Sequence, residues 1–436
     1  MGFVKVEESH KGRRIEFTVS IGKMQKSFLR KIKYSTYASK RNGFTYLMLY
    51  DTDMNPIRDV FKYINYSCGK LSVNTRKQKL FSIKKLMEYA DIFGLKIDKI
   101  EPPDITRFEY FLSGISAESE SYDFYLDVKR SPKTIETIMK NCSLYCKYKH
   151  YKNYDIFKCS KHTKMQVTNF KKTCPPYITF EDYNRVIEYF EESNEMSEEC
   201  RIKFVCMCRI MYEAGLRMGE MLGLTLEDVV FESKENGSTY CGLIIRNRTS
   251  DSFNQKAKTV AEVISKKEYK TEHYWTPKVG YQTVPITEDL YNMIFEYVDL
   301  SRERFHDLGM NLQKCKADCV TEEGFDNEYI FLNERVASPQ NHTILNDTVK
   351  KAFIECGITE ENLKTNTCHK FRHGAIMHWL YDLKLPSEVV KDISRHSTVN
   401  GLEPYITPDH KYLIDRMNEL SDFIDNDGKG DDKSNG

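Results

Sequence analysis

Four short segments in the C-terminal half of the chain carry two arginines, two histidines and a tyrosine in a fixed order. The segments cover 214–220, 369–373, 395–397 and 404–405, and they contain Arg217, His369, Arg372, His396 and Tyr405. Two guanidinium groups can hold a phosphate, imidazoles can hydrogen-bond it or move protons, and a phenol can attack it. Together they supply the groups needed to break a phosphodiester bond without a metal ion, if the fold brings them to one place.

Composition constrains the domain number and the class of protein less strictly than these segments do. The chain has 436 residues, enough for two or three domains, and its hydrophobic (40%) and charged (30%) fractions are those of an ordinary soluble protein. DNA binding depends on neutralising phosphates, and the net charge of +1 is low for it. However, the first fifty residues are basic and the tail after Ser421 is acidic. The average charge therefore counts only weakly against DNA binding.

Cysteine usage and the lack of apolar runs indicate the compartment. Thirteen cysteines, an odd number in a chain without a signal peptide, favour free thiols in a reducing environment. No apolar run approaches the length of a membrane span. We therefore expect a cytoplasmic protein that does not enter a membrane.

The hydrophobic pattern changes along the chain. Alternation at 15–21 and an apolar stretch at 44–50 predict a small β-containing arm module that leads into a helix near 57–66. From Asn74 the apolar residues recur at intervals of three and four, with Gly94 as a helix stop. A second helix is predicted to begin at Ser131 and Pro132, as cap and first helical residue.

These patterns predict a mainly α chain with small β-sheets (α+β). The C-terminal domain is expected to begin with a helix at 179–182 and to contain strands at 242–245 and 283–286. The predicted domains are an N-terminal arm module (1–66), a helical domain (70–160), a linker (161–177), a catalytic domain (178–424) and a disordered acidic tail (425–436).

The ordered segments resemble the tyrosine recombinase (phage integrase) family. Gly-Leu-Arg, then Gly-Glu and Leu-Gly-Leu, at 215–224 is similar to the first arginine box of that family, and 369–372 is similar to its His-x-x-Arg box. His396 and Tyr405 lie nine residues apart, the interval between the second histidine and the nucleophile of the family. The chain departs from the family at 394–395, where Leu-Gly is common, and at Pro404. The resemblance is specific over 178–420 and general over 70–160.

The resemblance implies a function and a domain plan. A helical SAM-like core-binding domain and a tyrosine recombinase catalytic domain would clamp double-stranded DNA, with the N-terminal module as an arm. Arg217 and Arg372 would bind the scissile phosphate beside His369 and His396, and Tyr405 would form a 3′-phosphotyrosine ester. The implied partners are DNA, a homotetramer on two DNA sites and accessory recombination proteins, with no cofactor. The implied activity is DNA recombination, integrating or excising a mobile element as an integrase or transposase.

The family also uses a lysine on a β-hairpin as the acid that protonates the leaving 5′ oxygen. Two positions fit this role: Lys258, which we favour, and Lys278. The closest alignment places Trp275 where the lysine belongs. We assign structural roles to His373 and His378.

Other site chemistries are disfavoured. Cys142-x3-Cys146, Cys159-x2-His162 and Cys174 fit a helical face as readily as a zinc site, and there is no tight Cys-x2-Cys pair. The chain has no phosphate-cradling glycine loop and no acidic two-metal pattern, so ATP and Mg²⁺ are not indicated. Two alternative functions remain: a catalytically impaired DNA-binding partner of a sister recombinase, and a type IB topoisomerase-like enzyme.

Overall fold

The chain divides into two compact units, Met1–Lys171 (unit 1) and Lys172–Gly436 (unit 2). The structure, a computed structural model, describes these residues: 4–11, 14–21, 24–31, 34–41, 44–113, 130–172, 174–233, 239–248, 263, 265–321, 326–358, 367–396, 398–406, 417 and 421.

Unit 1 begins with two antiparallel sheets. One has the order β1-β2-β3 and the other pairs β4 with β5; the strands are β1 Val4–Lys11, β2 Arg14–Ile21, β3 Met24–Lys31, β4 Ser35–Arg41 and β5 Phe44–Tyr50. The register pairs Phe17 with both Glu8 and Phe28 in the first sheet, and Leu47 with Ala38 in the second. The strands predicted at 15–21 and 44–50 are thus confirmed.

Helices follow the two sheets in the described part of unit 1. They are α1 Arg58–Lys62, a π-helical turn Tyr63–Ser67, α2 Val73–Phe93, a 3₁₀ turn Ile97–Lys99, α3 Pro102–Ser113, α4 Pro132–Tyr148 and α5 Lys161–Lys172. The Ser131 side chain caps α4 by accepting the Thr134 N–H, and Gly94 ends α2 with a left-handed φ of 64°. These helix limits confirm the predicted start and stop.

Buried polar groups attach the second sheet to the helices. The Asn65 amide exchanges hydrogen bonds of 2.7 and 2.8 Å with the Leu47 backbone, and Arg76 Nη1 donates to Thr45 O at 2.8 Å. Leu47 and Leu49 share a core with Leu80 of α2. The boundary predicted between the arm module and the helical domain therefore falls inside a shared core.

Unit 2 combines helices with a three-stranded antiparallel sheet of the order β6-β7-β8. Its strands are β6 Val229–Ser233, β7 Thr239–Arg246 and β8 Tyr281–Ile286. Its helices are α6 Phe180–Glu191, α7 Glu198–Tyr212, α8 Met218–Met221, α9 Glu272–Trp275, α10 Glu288–Asp307, α11 His342–Glu355, α12 His369–Met377, α13 Ser387–Ile393 and α14 Glu403–Ile406. A π-helical turn, His378–Asp382, follows α12, and 3₁₀ turns lie at Leu226–Asp228, Lys266–Lys270, Leu312–Lys314 and Val399–Leu402.

Helix α7 is the centre of the unit 2 core. Its buried side chains pack with those of α6, α10 and α12 in one continuous cluster, including Phe190, Met207, Ile294 and Phe371. Thr179, Ser197 and Thr287 cap α6, α7 and α10 through their hydroxyl groups. The core fixes the end of α7 against the start of α12, where the first two predicted site segments lie.

The predicted fold class, mainly α with small sheets, is confirmed. The range predicted as a linker contains helix α5 and the boundary between the two units, while the predicted tail over 425–436 lies outside the described residues. Across the described ranges, no helix has both the length and the apolar composition that a bilayer crossing requires.

Candidate active site

Arg217 is held at a sharp turn between α7 and α8. Gly215 adopts a left-handed φ of 58°, and a Cβ there would lie 2.5 Å from the Trp379 ring, so only glycine fits without displacing the ring. Arg217 then caps α8: its N–H donates to Glu220 Oε2 at 2.9 Å and its Nη1 to Glu220 Oε1 at 2.7 Å. Its side chain stays 22% exposed, whereas that of Glu220 is buried. The guanidinium therefore lies at the surface of the site.

Arg372 lies on α12 and is buried. Its Nη1 donates to Gly215 O and its Nη2 to Ser394 O, which ties the first-arginine turn to the end of α13. His369 begins the same helix and is exposed, with its ring centroid 6.1 Å from that of His373. One helix face thus carries His369, Arg372 and His373.

His396 follows α13 directly. Its Nδ1 lies 2.6 Å from Ser394 Oγ, and its N–H donates to Lys391 O at 2.9 Å. Arg395, between Ser394 and His396, has a left-handed φ of 57°. Its buried guanidinium donates from Nη2 to Glu220 Oε2 at 2.8 Å. Serine and arginine at 394–395 therefore add hydrogen bonds where the family commonly has Leu-Gly.

Tyr405 lies in α14 and is 5% exposed. It packs in a small cluster with Trp379, Val390 and Leu402, and Tyr381 Oη donates to its carbonyl at 2.6 Å. Its own hydroxyl oxygen lies 2.5 Å from His373 Nδ1. The phenol is therefore positioned inside the unit by residues of the same chain.

The arginines and burial set the protonation states. Burial alone would raise the pKa of Glu220, but Arg395, Arg217 and Arg372 lower it to about 2. Burial and then neighbouring positive charge lower the pKa of His396 to about 4 and that of His373 to about 3. Both imidazoles are therefore neutral near pH 7.

The same two effects act on the other two groups. Burial, Arg217 and Arg395 lower the pKa of Arg372 to about 9, which leaves it protonated at neutral pH. Burial raises the pKa of Tyr405 to about 12, although Arg372 and Arg217 act in the opposite direction. The resting site thus holds cationic arginines beside a protonated phenol.

The two candidates for the general acid are Lys258 and Lys278. Lys258 lies outside the described residues. Lys278 is exposed in the turn before β8, with a φ of 67°. The pKa of Asp392 on α13 is lowered chiefly by the hydrogen bond and charge of Lys391, and the charge of Lys278 adds a smaller lowering. Lys278 is therefore within electrostatic reach of the segment that leads to His396. Trp275 ends α9 and donates from Nε1 to Tyr269 O at 2.5 Å.

The cysteines show no metal arrangement. All thirteen are free thiols, and in the described parts of the chain no three histidine, cysteine, aspartate or glutamate side chains are placed to hold a metal ion. His378 packs its ring on Phe180 at 5.0 Å and contacts Asp382 at 2.7 Å.

The structure gathers Arg217, Arg372, His396 and Tyr405, with His369 at the edge. The sequence interpretation missed three further participants. Glu220 stood in the first-arginine box, and His373 lies four residues after His369, which places both on one helical face. Arg395 was noted only as a departure from the family. Its contact with a residue 175 positions earlier leaves no local trace in the sequence.

Sequence comparisons show which known proteins the chain is similar to. No protein-family model matches the chain. The tyrosine recombinase XerC-like protein of Caldanaerobacter subterraneus subsp. tengcongensis is 23% identical over 345 residues, 77% of this chain and 75% of that protein. Transposase A from transposon Tn554 of Staphylococcus aureus is 27% identical over 201 residues, 42% of this chain and 54% of that protein.

A solved structure supports the fold. The Tn1549 transposon integrase in complex with transposon right end DNA matches with a TM-score of 0.50 at 15% identity, covering 84% of this chain and 98% of that one. The similarity to this structure, the two sequence relatives and the arginine-histidine-tyrosine cluster all point to tyrosine recombinases. In sequence and in fold, the chain is similar to tyrosine recombinases.

Proposed function

We propose that the chain is a site-specific DNA recombinase that cuts and rejoins strands through a 3′-phosphotyrosine intermediate and integrates or excises a mobile element. One observation carries the proposal: segments almost 200 residues apart place Arg217, Arg372, His396 and Tyr405 in one cluster, although Arg372 and Tyr405 are buried. A scaffold does not require this clustering of cations around a phenol. The relatives named for recombination and transposition support the same function.

In this mechanism the scissile phosphate binds at Arg217 and Arg372. The Tyr405 oxygen attacks phosphorus, the bond from phosphorus to the 5′ oxygen breaks, and that oxygen takes a proton from a general acid. The arginines stabilise the charge that grows on the phosphate oxygens and favour loss of the phenol proton. His373 is neutral, and in its Nε2–H tautomer Nδ1 accepts the phenol hydrogen across the 2.5 Å contact. The ester retains the energy of the broken bond, so religation needs no cofactor.

Covalent capture tests the proposal. Wild type and Tyr405→Phe are incubated with labelled, nicked duplexes from the ends of the element, in EDTA, and run on denaturing gels. We expect a protein–DNA adduct with wild type and none with Tyr405→Phe, while both bind the intact duplex equally. Tyr291→Phe, in α10 of the same unit, is the matched control and should form the adduct.

Other outcomes would redirect the proposal. Binding without any wild-type adduct would favour an inactive partner of a sister recombinase. Relaxation of a plasmid that lacks the target site would favour a topoisomerase. The proposed tetramer on two DNA sites is checked by the mass of the assembled complex in solution.

The general acid is assigned by comparing Lys258→Ala with Lys278→Ala. We propose Lys258, and loss of a general acid typically slows cleavage by about 10²–10⁴-fold. A 5′-phosphorothiolate leaving group needs no proton, so it should rescue the variant of the true acid alone. Rescue of Lys278→Ala instead would move the role to Lys278, in the turn before β8.

A further inference from the structure

Arg395 is a third arginine in the site, and the proposed mechanism does not use it. It occupies a left-handed backbone position, φ 57°, that disfavours residues with a Cβ. The family resemblance places glycine at this point. An arginine here carries a backbone cost, which calls for a compensating role of the side chain.

Both terminal nitrogens of the Arg395 guanidinium donate hydrogen bonds inside the site. Nη2 donates to Glu220 Oε2 at 2.8 Å and to Gly215 O at 3.1 Å, and Nη1 lies 3.3 Å from Ala214 O and 3.4 Å from Ile393 O. The residue is 6% exposed, and its Nε has no hydrogen-bond partner in the described ranges. These contacts direct the Arg395 guanidinium toward Glu220 and toward backbone carbonyl oxygens.

Its contacts are shared with both phosphate-binding arginines. Glu220 accepts from Arg217 as well as from Arg395, and Gly215 O accepts from Arg372 as well as from Arg395. With Arg395 present, three guanidinium groups surround the Glu220 carboxylate. Without it, Glu220 would neutralise Arg217 alone, and the site would face the phosphate with one positive charge fewer.

We propose that Arg395 is a positioning residue for strand cleavage: it shares the Glu220 carboxylate so that Arg217 keeps its position but also keeps effective charge for the phosphate. This inference rests on the proposed recombinase function. It explains the departure from Leu-Gly at 394–395 as a change in the charge balance of the site. It also predicts that Arg395 acts through its charge more than through its packing.

The test compares Arg395→Gly with the double variant Arg395→Gly/Glu220→Gln. Arg395→Gly fits the left-handed backbone and removes one positive charge. Glu220→Gln removes one negative charge. At an effective dielectric of about 20, a unit charge about 7–10 Å away changes a rate by about 15- to 60-fold. We expect Arg395→Gly to slow adduct formation on the nicked duplex by that factor, with duplex affinity nearly unchanged, and the double variant to regain at least about tenfold.

Lys384→Gly is the matched control, because Lys384 is an exposed non-glycine residue at φ 53°. It removes the same backbone conflict and should leave the cleavage rate unchanged. An unchanged rate in Arg395→Gly overturns the proposal. So does a double variant that is as slow as the single one, because packing would then be the cause.

Two further arms keep the outcomes separate. If Arg395→Gly does not fold, Arg395→Lys and Arg395→Gln replace it: Lys keeps the charge and should be at least about tenfold faster than Gln, and equal rates overturn the proposal. A wild-type protein that forms no adduct contradicts the proposed function itself, before Arg395 is tested.

Discussion

Unit 2 contains two largely buried clusters of arginines and carboxylates, and the clusters differ in the balance between positive and negative charge. The scaffold cluster contains Glu227, Asp228, Arg246 and Arg248, paired through contacts of 2.9–3.0 Å. The site cluster contains Arg217, Glu220, Arg372 and Arg395. Two arginines face two carboxylates in the first, whereas three arginines surround one described carboxylate in the second.

The difference separates structural charge from functional charge. In the scaffold cluster, Glu227 also accepts the Val320 N–H at 3.0 Å, so its charge is met by protein groups. In the site cluster, Arg372 is satisfied by carbonyl oxygens, which carry no net charge. Two positive charges therefore remain without a protein counterpart among the described residues. An excess of buried positive charge favours an anion, and a phosphodiester supplies one.

The largest contrast is expected from Arg217→Ala. Loss of one donor to a charged transition state typically costs about 10²–10³-fold in rate. Arg217 is partly exposed and its removal leaves Glu220 paired with Arg395, so the fold should persist. Adduct formation on nicked duplexes and the urea unfolding midpoint measure the two effects. An unchanged cleavage rate would show that Arg217 does not hold the phosphate.

Arg248→Met should lower stability and leave cleavage unchanged, the reverse of Arg217→Ala. It leaves Glu227 and Asp228 short of one buried partner, which should lower the free energy of unfolding by about 3 kcal/mol, while the cleavage rate per folded molecule stays at the wild-type value. Arg185→Met, which breaks a surface pair with Asp182, is the control and should cost less than about 1 kcal/mol. If Arg248→Met instead slowed cleavage with the fold intact, the division into two clusters would be wrong.

The fold could be predicted where local chemistry decides it. Ser131 and Gly94 mark helix ends because a cap or a left-handed turn is a property of a few neighbouring residues. The basic and polar sequence of helix α5 predicts a linker, whereas the structure shows a helix. Its start depends on Glu109, which accepts from Ser160 N–H at 2.9 Å across 51 residues. Strand β6 was not predicted either, and it exists through its pairing with β7.

In the candidate site, too, the local features could be predicted and the long-range contacts could not. Arg217, Arg372 and Tyr405 could be named because the family resemblance fixes their order and spacing. The bond from Arg395 to Glu220 and the contact of His373 with Tyr405 join different segments, and they depend on the packing of α12, α13 and α14. The sequence marked Arg395 only as an exception, and the structure supplies the reason for it.

The smallest expected effect is a pH dependence that separates the two clusters. Folding lowers the pKa of His373 to about 3 and that of His396 to about 4, from 6.5. The unfolded chain therefore binds more protons, so this stability is full above pH 6.5 and is lost as the pH falls. The carboxylates Glu220 and Glu227 start from 4.5 and are lowered. Between pH 6.5 and 4.5 the histidines thus dominate, and the scaffold cluster adds little.

His373→Asn tests this window. It should flatten the fall in the free energy of unfolding between pH 6.5 and 4.5 by at most about 1.4 kcal/mol per pH unit, the limit for one proton. Urea unfolding at pH 6.5, 5.5 and 4.5 measures the slope, and His306→Asn, which removes a histidine 90% exposed to solvent, is the control. A slope that His373→Asn and His306→Asn change equally would mean that burial and the neighbouring positive charge do not lower the pKa of His373 in the folded chain. The contrast between the clusters would then not extend to their titration.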